Sequence, residues 1–230
     1  MQYRIMFEQD PRNKQRRRAP SARSLQTRAR ILDAAERIFA ERGFEGASVR
    51  DIAARAGVPA GLVHHHGGGK AELFRRTVAR RADELSALRL GALETCRAAG
   101  PLTLSAVLTA FAGPFFHQVR QGGPQWSAYA RLVAHVSADP RWRPIAAECF
   151  DPTAARFIDE IAALFPDADR QRIATGLVYS VAAMLAHLTS GWRVGALDGS
   201  GGEGATDLDR LVAYCAAGIE AAIHCAGKSE

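Results

Sequence analysis

Apolar residues recur every three to four positions through most of the chain, and no stretch alternates with period two over the length of a strand. The pattern therefore predicts an all-α protein. From Ser24 to Arg42, Leu25, Arg28, Ile31, Leu32, Ala35, Ile38 and Phe39 fall on one side of a helix, with Arg30, Asp33, Arg37 and Glu41 on the other. Gly43 stops it, and Phe44 returns to the core. Ser48 can cap a short helix that turns Val49, Ile52 and Ala53 inward. Ala56-Gly57-Val58 then makes a tight turn, and Pro59 opens a second short helix through Leu62, Val63 and His66. Two short helices with small residues at their junction are the pattern of a helix-turn-helix, whose second helix presents its free face outward. A fourth helix is expected over 70–90, with Leu73, Phe74, Val78, Ala82, Leu85 and Leu88 inward and Arg75, Arg76, Arg80 and Arg81 outward.

Gly100-Pro101 breaks the chain, and further helical faces are expected at about 102–120, 125–137, 144–165, 168–192 and 207–225. Between the last two lies a glycine-rich loop, Asp198 to Ala205, expected to be disordered. Residues 173–192 carry no formal charge and are long enough to span a bilayer, but Thr175, Ser180, His187, Thr189 and Ser190 dilute the stretch and a second span is lacking. The expectation is no membrane. Instead 168–192 and 207–225 are read as pairing with their twofold mates in a four-helix interface, making a homodimer.

Charge divides the chain. Residues 1–23 hold seven Lys/Arg against two acids, residues 24–90 twelve against eight, and residues 91–230 eleven against fourteen. A polyanion is the natural partner of the basic end. The organisation read from this is a basic arm over 1–23, a DNA-binding unit over 24–85 with its helix-turn-helix at 48–67, and a helical body over 86–230. The four cysteines (Cys96, Cys149, Cys215, Cys225) lack metal spacing and read as reduced core thiols. With no apolar leader at the N-terminus, a cytoplasmic location is expected. His64-His65-His66 invites a metal, but consecutive helical residues point about 100° apart and do not converge on one ion. No GxSxG or HExxH occurs, and Gly67-Gly68-Gly69-Lys70 lacks the strand and spacing of a P-loop. No enzyme, cofactor or metal is expected.

The run TRARILDAAERIFAERGFEGASVRDIAARAGVPAGLVHHHGGGKAELF resembles the DNA-binding domain of the TetR/AcrR family of bacterial transcriptional regulators, over roughly residues 24–85. The resemblance implies phosphate contacts from Thr27 and Arg28 in the first helix, from Ser48 as cap and contact, and from His64, His65 and Lys70. It places Arg50 on the exposed side of the second helix, and Pro59, Ala60 and Gly61 at the start of the recognition helix, facing base edges. The chain departs from the family at Gly67, where a Phe is usual, and at Gly68-Gly69, where a capping Ser or Asn is usual.

In this family the body commonly holds a small, largely apolar effector. Phe111, Phe115, Phe116, Trp126, Tyr129, His135, Met184 and His187 are the pocket residues expected here. The function expected is a sequence-specific regulator, in the first instance a repressor that leaves a palindromic double-stranded operator when an effector binds. The alternative is a non-specific DNA-coating or architectural protein without an effector.

Overall fold

The computed structural model describes residues 21–200 and 207–224; the arm expected over 1–23 lies outside the described residues up to residue 20, as do residues 201–205 of the glycine-rich loop and Cys225. Within the described residues every regular element is helical. The first, α1 (Ala22–Gly46), starts on Ser21, whose hydroxyl accepts from the Ser24 amide at 3.3 Å. It is interrupted at Gly43, where φ is +67°. That left-handed residue swings Phe44 back over Phe39, with ring centroids 6.1 Å apart, and onto Phe74 at 5.4 Å. Leu25, which the periodicity puts inward, is 52% exposed.

The helix-turn-helix forms as its local chemistry dictates. Helix α2 (Val49–Ala56) is capped by Ser48, and Gly57 closes it in the left-handed region with its amide reaching back to the Ala53 and Ala54 carbonyls. Helix α3 (Ala60–Gly67) comes directly after Pro59 and buries Val63 completely, while Leu62 turns outward. Gly68, at φ +74°, ends α3 by donating to the His64 carbonyl at 2.9 Å. At Gly67 an added Cβ would lie 2.9 Å from Leu73 Cδ1, so a larger residue there requires the Leu73 side chain to shift.

Helix α4 (Lys70–Ala99) runs well beyond the expected end at 90, about 45 Å in all. Nothing between Leu90 and Gly100 breaks it: Gly91 alone does not stop a helix, and Leu93 is buried in the core. The boundary expected at 85/86 therefore falls inside one continuous helix, and head and body share a single apolar core. Leu88, expected inward, is 39% exposed.

The body comprises α5 (Leu104–Gln121), α6 (Pro124–Ala138), a 3-10 turn (Pro140–Trp142), α7 (Arg143–Cys149), α8 (Asp151–Leu164), α9 (Arg170–Ser190), α10 (Trp192–Leu197) and α11 (Leu208–His224). The single helix expected over 144–165 is two helices, because Pro152 has no N–H and its ring excludes the carbonyl four residues before it. The stretch expected over 168–192 likewise ends at Ser190, and α10 begins beyond Gly191.

Helices α9 and α11 cross closely at Gly176, where a Cβ would lie 2.7 Å from Ile219 Cγ1. By length and composition α9 could cross a membrane. Its buried side is fixed by Ile173, Leu177, Met184 and Leu185. Val178 and Tyr179 of α9 are 64% and 69% exposed, and on α11 Ala213, Tyr214 and Ala217 are exposed as well.

Candidate functional site

The outward face of α3 consists of Pro59, Ala60, Gly61, Leu62, His64 and His65, all exposed. It projects because α2 is fixed from below. The Ser48 hydroxyl accepts from the Asp51 amide at 3.1 Å and donates to the Asp51 carboxylate at 2.7 Å, and Arg42 pairs with that carboxylate at 2.9 Å. The Ser48 bond, ahead of the Arg42 charge, holds the Asp51 carboxyl below its usual range. Arg30 ties down the turn by donating to the Ala56 carbonyl at 2.6 Å. Between the exposed side chains and the core sits half-buried His66, whose imidazole is held below the ordinary histidine range by burial first, and then by the neighbouring His65 and Arg28 charges.

The cations around this face divide into engaged and available. Arg28 and Arg50 are exposed and make no ion pair among the described residues. Thr27 spends its hydroxyl on the Arg23 carbonyl at 2.9 Å, which leaves it an oxygen but no proton to offer a phosphate in this state. Lys70 donates to the Glu45 carbonyl at 3.3 Å and lies 4.5 Å over the Phe44 ring, with two further N–H donors in hand.

The α4 arginines, placed outward by the periodicity, are cross-links. Arg75 binds Glu72 and reaches Glu148 of α7 at 2.6 Å, while Arg76 binds Glu72 at 2.6 Å and the His66 carbonyl at 2.7 Å. Hydrogen bonds from Arg75 and then Arg76 pull the Glu72 carboxyl down to about 2. Arg80 pairs with Asp33 of α1, and Arg81, only 11% exposed, pairs at 2.6 Å with fully buried Glu36. Burial raises the Glu36 pKa, against the opposing pull of Arg81. Arg81 also stacks 5.0 Å over Trp126 of α6.

Behind the head lies a cavity of about 460 Å³ between α4, α5, α6, α7, α8 and α9. Of the residues expected at an effector pocket, Phe111, Phe115 and Met184 line this cavity; Phe116, Trp126, Tyr129, His135 and His187 do not. Trp126 and Tyr129 sit on the part of α6 under the head, and Tyr129 donates to the Val78 carbonyl at 3.3 Å. The lining positions of α6 come one and two turns later, at Val133 and Ser137. Phe116 stacks on His187 at 5.2 Å, away from the cavity, and His135 is exposed.

Periodicity missed Ser86, Arg89, Cys149 and Thr153. Their inward turn depends on which helices pack together, although a lone Arg at the spacing of Ala82 and Leu85 was a usable signal. Thr153 donates to Ser86 at 2.8 Å, and burial pushes the Cys149 thiol up to about 11, leaving it protonated. Among the described residues no group of three or more His, Cys, Asp or Glu is placed to hold a metal.

The helices that line the cavity are also joined to the head. Ala146 and Cys149 place α7 against the cavity, and the turn that starts α7 carries Trp142, whose ring lies 4.4 Å from Phe74 and 4.8 Å from Phe44. Beside it Arg141 pairs with Glu45 of α1, and Gln125 of α6 accepts from Arg37 at 2.6 Å.

Comparison with known proteins bears on both halves. Residues 31–77 match the family described as bacterial regulatory proteins, tetR family, and residues 109–218 match the tetracyclin repressor-like C-terminal domain. The chain is 39% identical over 72 residues to the HTH-type transcriptional repressor AcnR of Corynebacterium efficiens, covering 30% of this chain and 38% of that protein. It is 38% identical over 68 residues to the HTH-type transcriptional regulator SrpR of Pseudomonas putida, covering 30% and 32%. The matched stretch thus spans only about a third to a half of the curated relatives. The fold extends further. A transcriptional regulator from Pseudomonas aeruginosa PAO1 superposes with a TM-score of 0.60 at 23% identity, over 85% of this chain and 89% of its own. The multidrug binding protein EbrR, solved with malachite green, does so with 0.59 at 18%, over 83% and 96%.

Proposed function

Because the chain belongs to the tetR family of bacterial regulatory proteins, we propose that it is a cytoplasmic, sequence-specific DNA-binding regulator, a repressor that leaves a palindromic operator when a small molecule enters the cavity behind its head. The observation that carries this reading is the exposed face of α3 from Pro59 to His65, held out by a capped α2 and flanked by the exposed guanidinia of Arg28 and Arg50. A face of small and imidazole side chains lies close to a major groove, while the arginines and backbone amides meet phosphates.

A twofold partner is supported by the exposed large hydrophobic side chains Val178 and Tyr179 of α9 and Tyr214 of α11, since a palindrome needs two heads at a fixed separation. An effector is supported by the cavity, and by the description of the structurally similar EbrR as a multidrug binding protein. In this reading α7 transmits its arrival. It forms part of the cavity wall through Ala146 and Cys149, and its leading turn is wedged into the head by Trp142, so displacing α7 tilts the head and changes the spacing of the recognition helices.

The test is selection of genomic fragments on the purified protein, followed by gel shifts against competitor DNA. A shared inverted repeat, retained in excess competitor, is expected. Arg50→Ala should weaken binding to all sequences alike and lower the salt slope by about one. Binding that shows no sequence preference and fades with modest salt would instead make this a DNA-coating protein.

A further inference from the structure

The cavity wall contains one buried charge that the fold does not balance. Arg89 on α4 is 8% exposed, and among the described residues no carboxylate lies within ion-pairing distance of it. Its Nε donates to the Phe111 carbonyl of α5 at 2.7 Å. Nη2 reaches only the Met184 sulfur at 3.9 Å, a weak acceptor. Nη1 has no hydrogen-bond partner among the described residues, and Arg89 lines the cavity. The guanidinium lies 3.9 Å over the Phe111 ring, which fixes its plane. Burial lowers its pKa to about 10, still protonated at neutral pH.

A buried guanidinium without a counter-ion is expensive, and any neutral donor would satisfy the Phe111 carbonyl as well. The rest of the wall is mostly apolar, with Ser86, Ser137, Thr153 and Asp151 its other hydroxyl or charged side chains. Leu85, Phe115, Val133, Phe150, Ile158 and Leu177 form its body, while Ser86 and Thr153 bond each other. Asp151, the acid of the lining, is exposed at the start of α8 and makes no ion pair with Arg89.

Resting on the effector role of the cavity, we propose that it takes an apolar molecule bearing a single carboxylate, with the carboxylate on Nη1 and Nη2 of Arg89 and the apolar body against α5, α8 and α9. The anion completes the site by supplying the charge the protein withholds. A carboxylate held by two guanidinium N–H groups in an apolar surround is bound by charge-assisted bonds that an alcohol of the same length does not make.

The test compares decanoate with decanol, both below their aggregation limits, by isothermal titration on the full-length protein at pH 7.5. Decanoate should bind more tightly by about tenfold or more. Arg89→Met and Arg89→Gln, the second keeping a donor for the Phe111 carbonyl, should each remove that preference while decanol binding persists. Either variant suffices if the other fails to fold. Equal affinities in the wild type, or a preference that survives in a folded variant, would overturn the proposal while leaving the effector cavity standing. Binding of neither probe would remove both. A preference that depends on Arg89 without any change in operator affinity would uphold the anion site and sink the regulatory reading.

Discussion

Replacing Trp142 by Ala tests whether the head is braced by the body. The indole packs against Phe74 at 4.4 Å and Phe44 at 4.8 Å, and is half-buried. Half of a tryptophan's apolar area, about 100 Å², is worth roughly 2.5 kcal/mol at about 25 cal/mol per Å². The two ring contacts add about 0.5–1.5 kcal/mol each, and relaxation of exposed Arg141 into the gap offsets part of this, so a net loss of about 3 kcal/mol is expected. For a chain of this length that corresponds to a fall in Tm of roughly 6–12 °C. Thermal unfolding measured by circular dichroism at 222 nm reads it out, with Trp142→Phe, which keeps a ring between Phe44 and Phe74, expected to lose less than half as much. A Trp142→Ala variant melting within about 2 °C of the wild type would show that the indole does not brace the head.

Single contacts carry further consequences. Arg81→Ala leaves the fully buried Glu36 without its cation and should destabilise by about 3–5 kcal/mol, measured by urea unfolding; adding Glu36→Gln should recover much of the loss, and additive losses would contradict the pairing. Gly176→Ala pushes a methyl into Ile219 at the α9–α11 crossing and should cost about 1–3 kcal/mol, with Gly176→Ala/Ile219→Val milder than the single change. His66 bears on pH. Its folded-state pKa is depressed, so its contribution to stability is present above the ordinary histidine value and is lost as pH falls through the lowered one. Between pH 7.5 and 5.5 the wild-type Tm should therefore drop further than that of His66→Gln, by on the order of 1 °C; equal drops would refute the assignment.

The helix-turn-helix was legible because its determinants are local. Ser48 caps three residues ahead, Gly57 supplies a left-handed turn, and Pro59 starts a helix, each within hydrogen-bonding reach along the chain. The helical class and the apolar faces of α9 and α11 were legible for the same reason, since periodicity is a property of each helix alone. The lining of the cavity was not. Bulk and aromaticity suggested Trp126 and Tyr129, but those rings are taken up under the head, while Arg89 and Thr153 face inward. Helix α4 extends through the boundary that charge and motif placed at residue 85, and its arginines are cross-links to Asp33, Glu36 and Glu148.

From its order of residues alone, this chain determined where its backbone would coil, where it would turn, and which short helix would face outward, because those choices rest on bonds between near neighbours. Which side chains surround the cavity, and that a tryptophan from the body would wedge the head, were decided only when helices distant in sequence packed together. A residue's burial there depends on what lies opposite, and nothing adjacent to it in the chain specifies that.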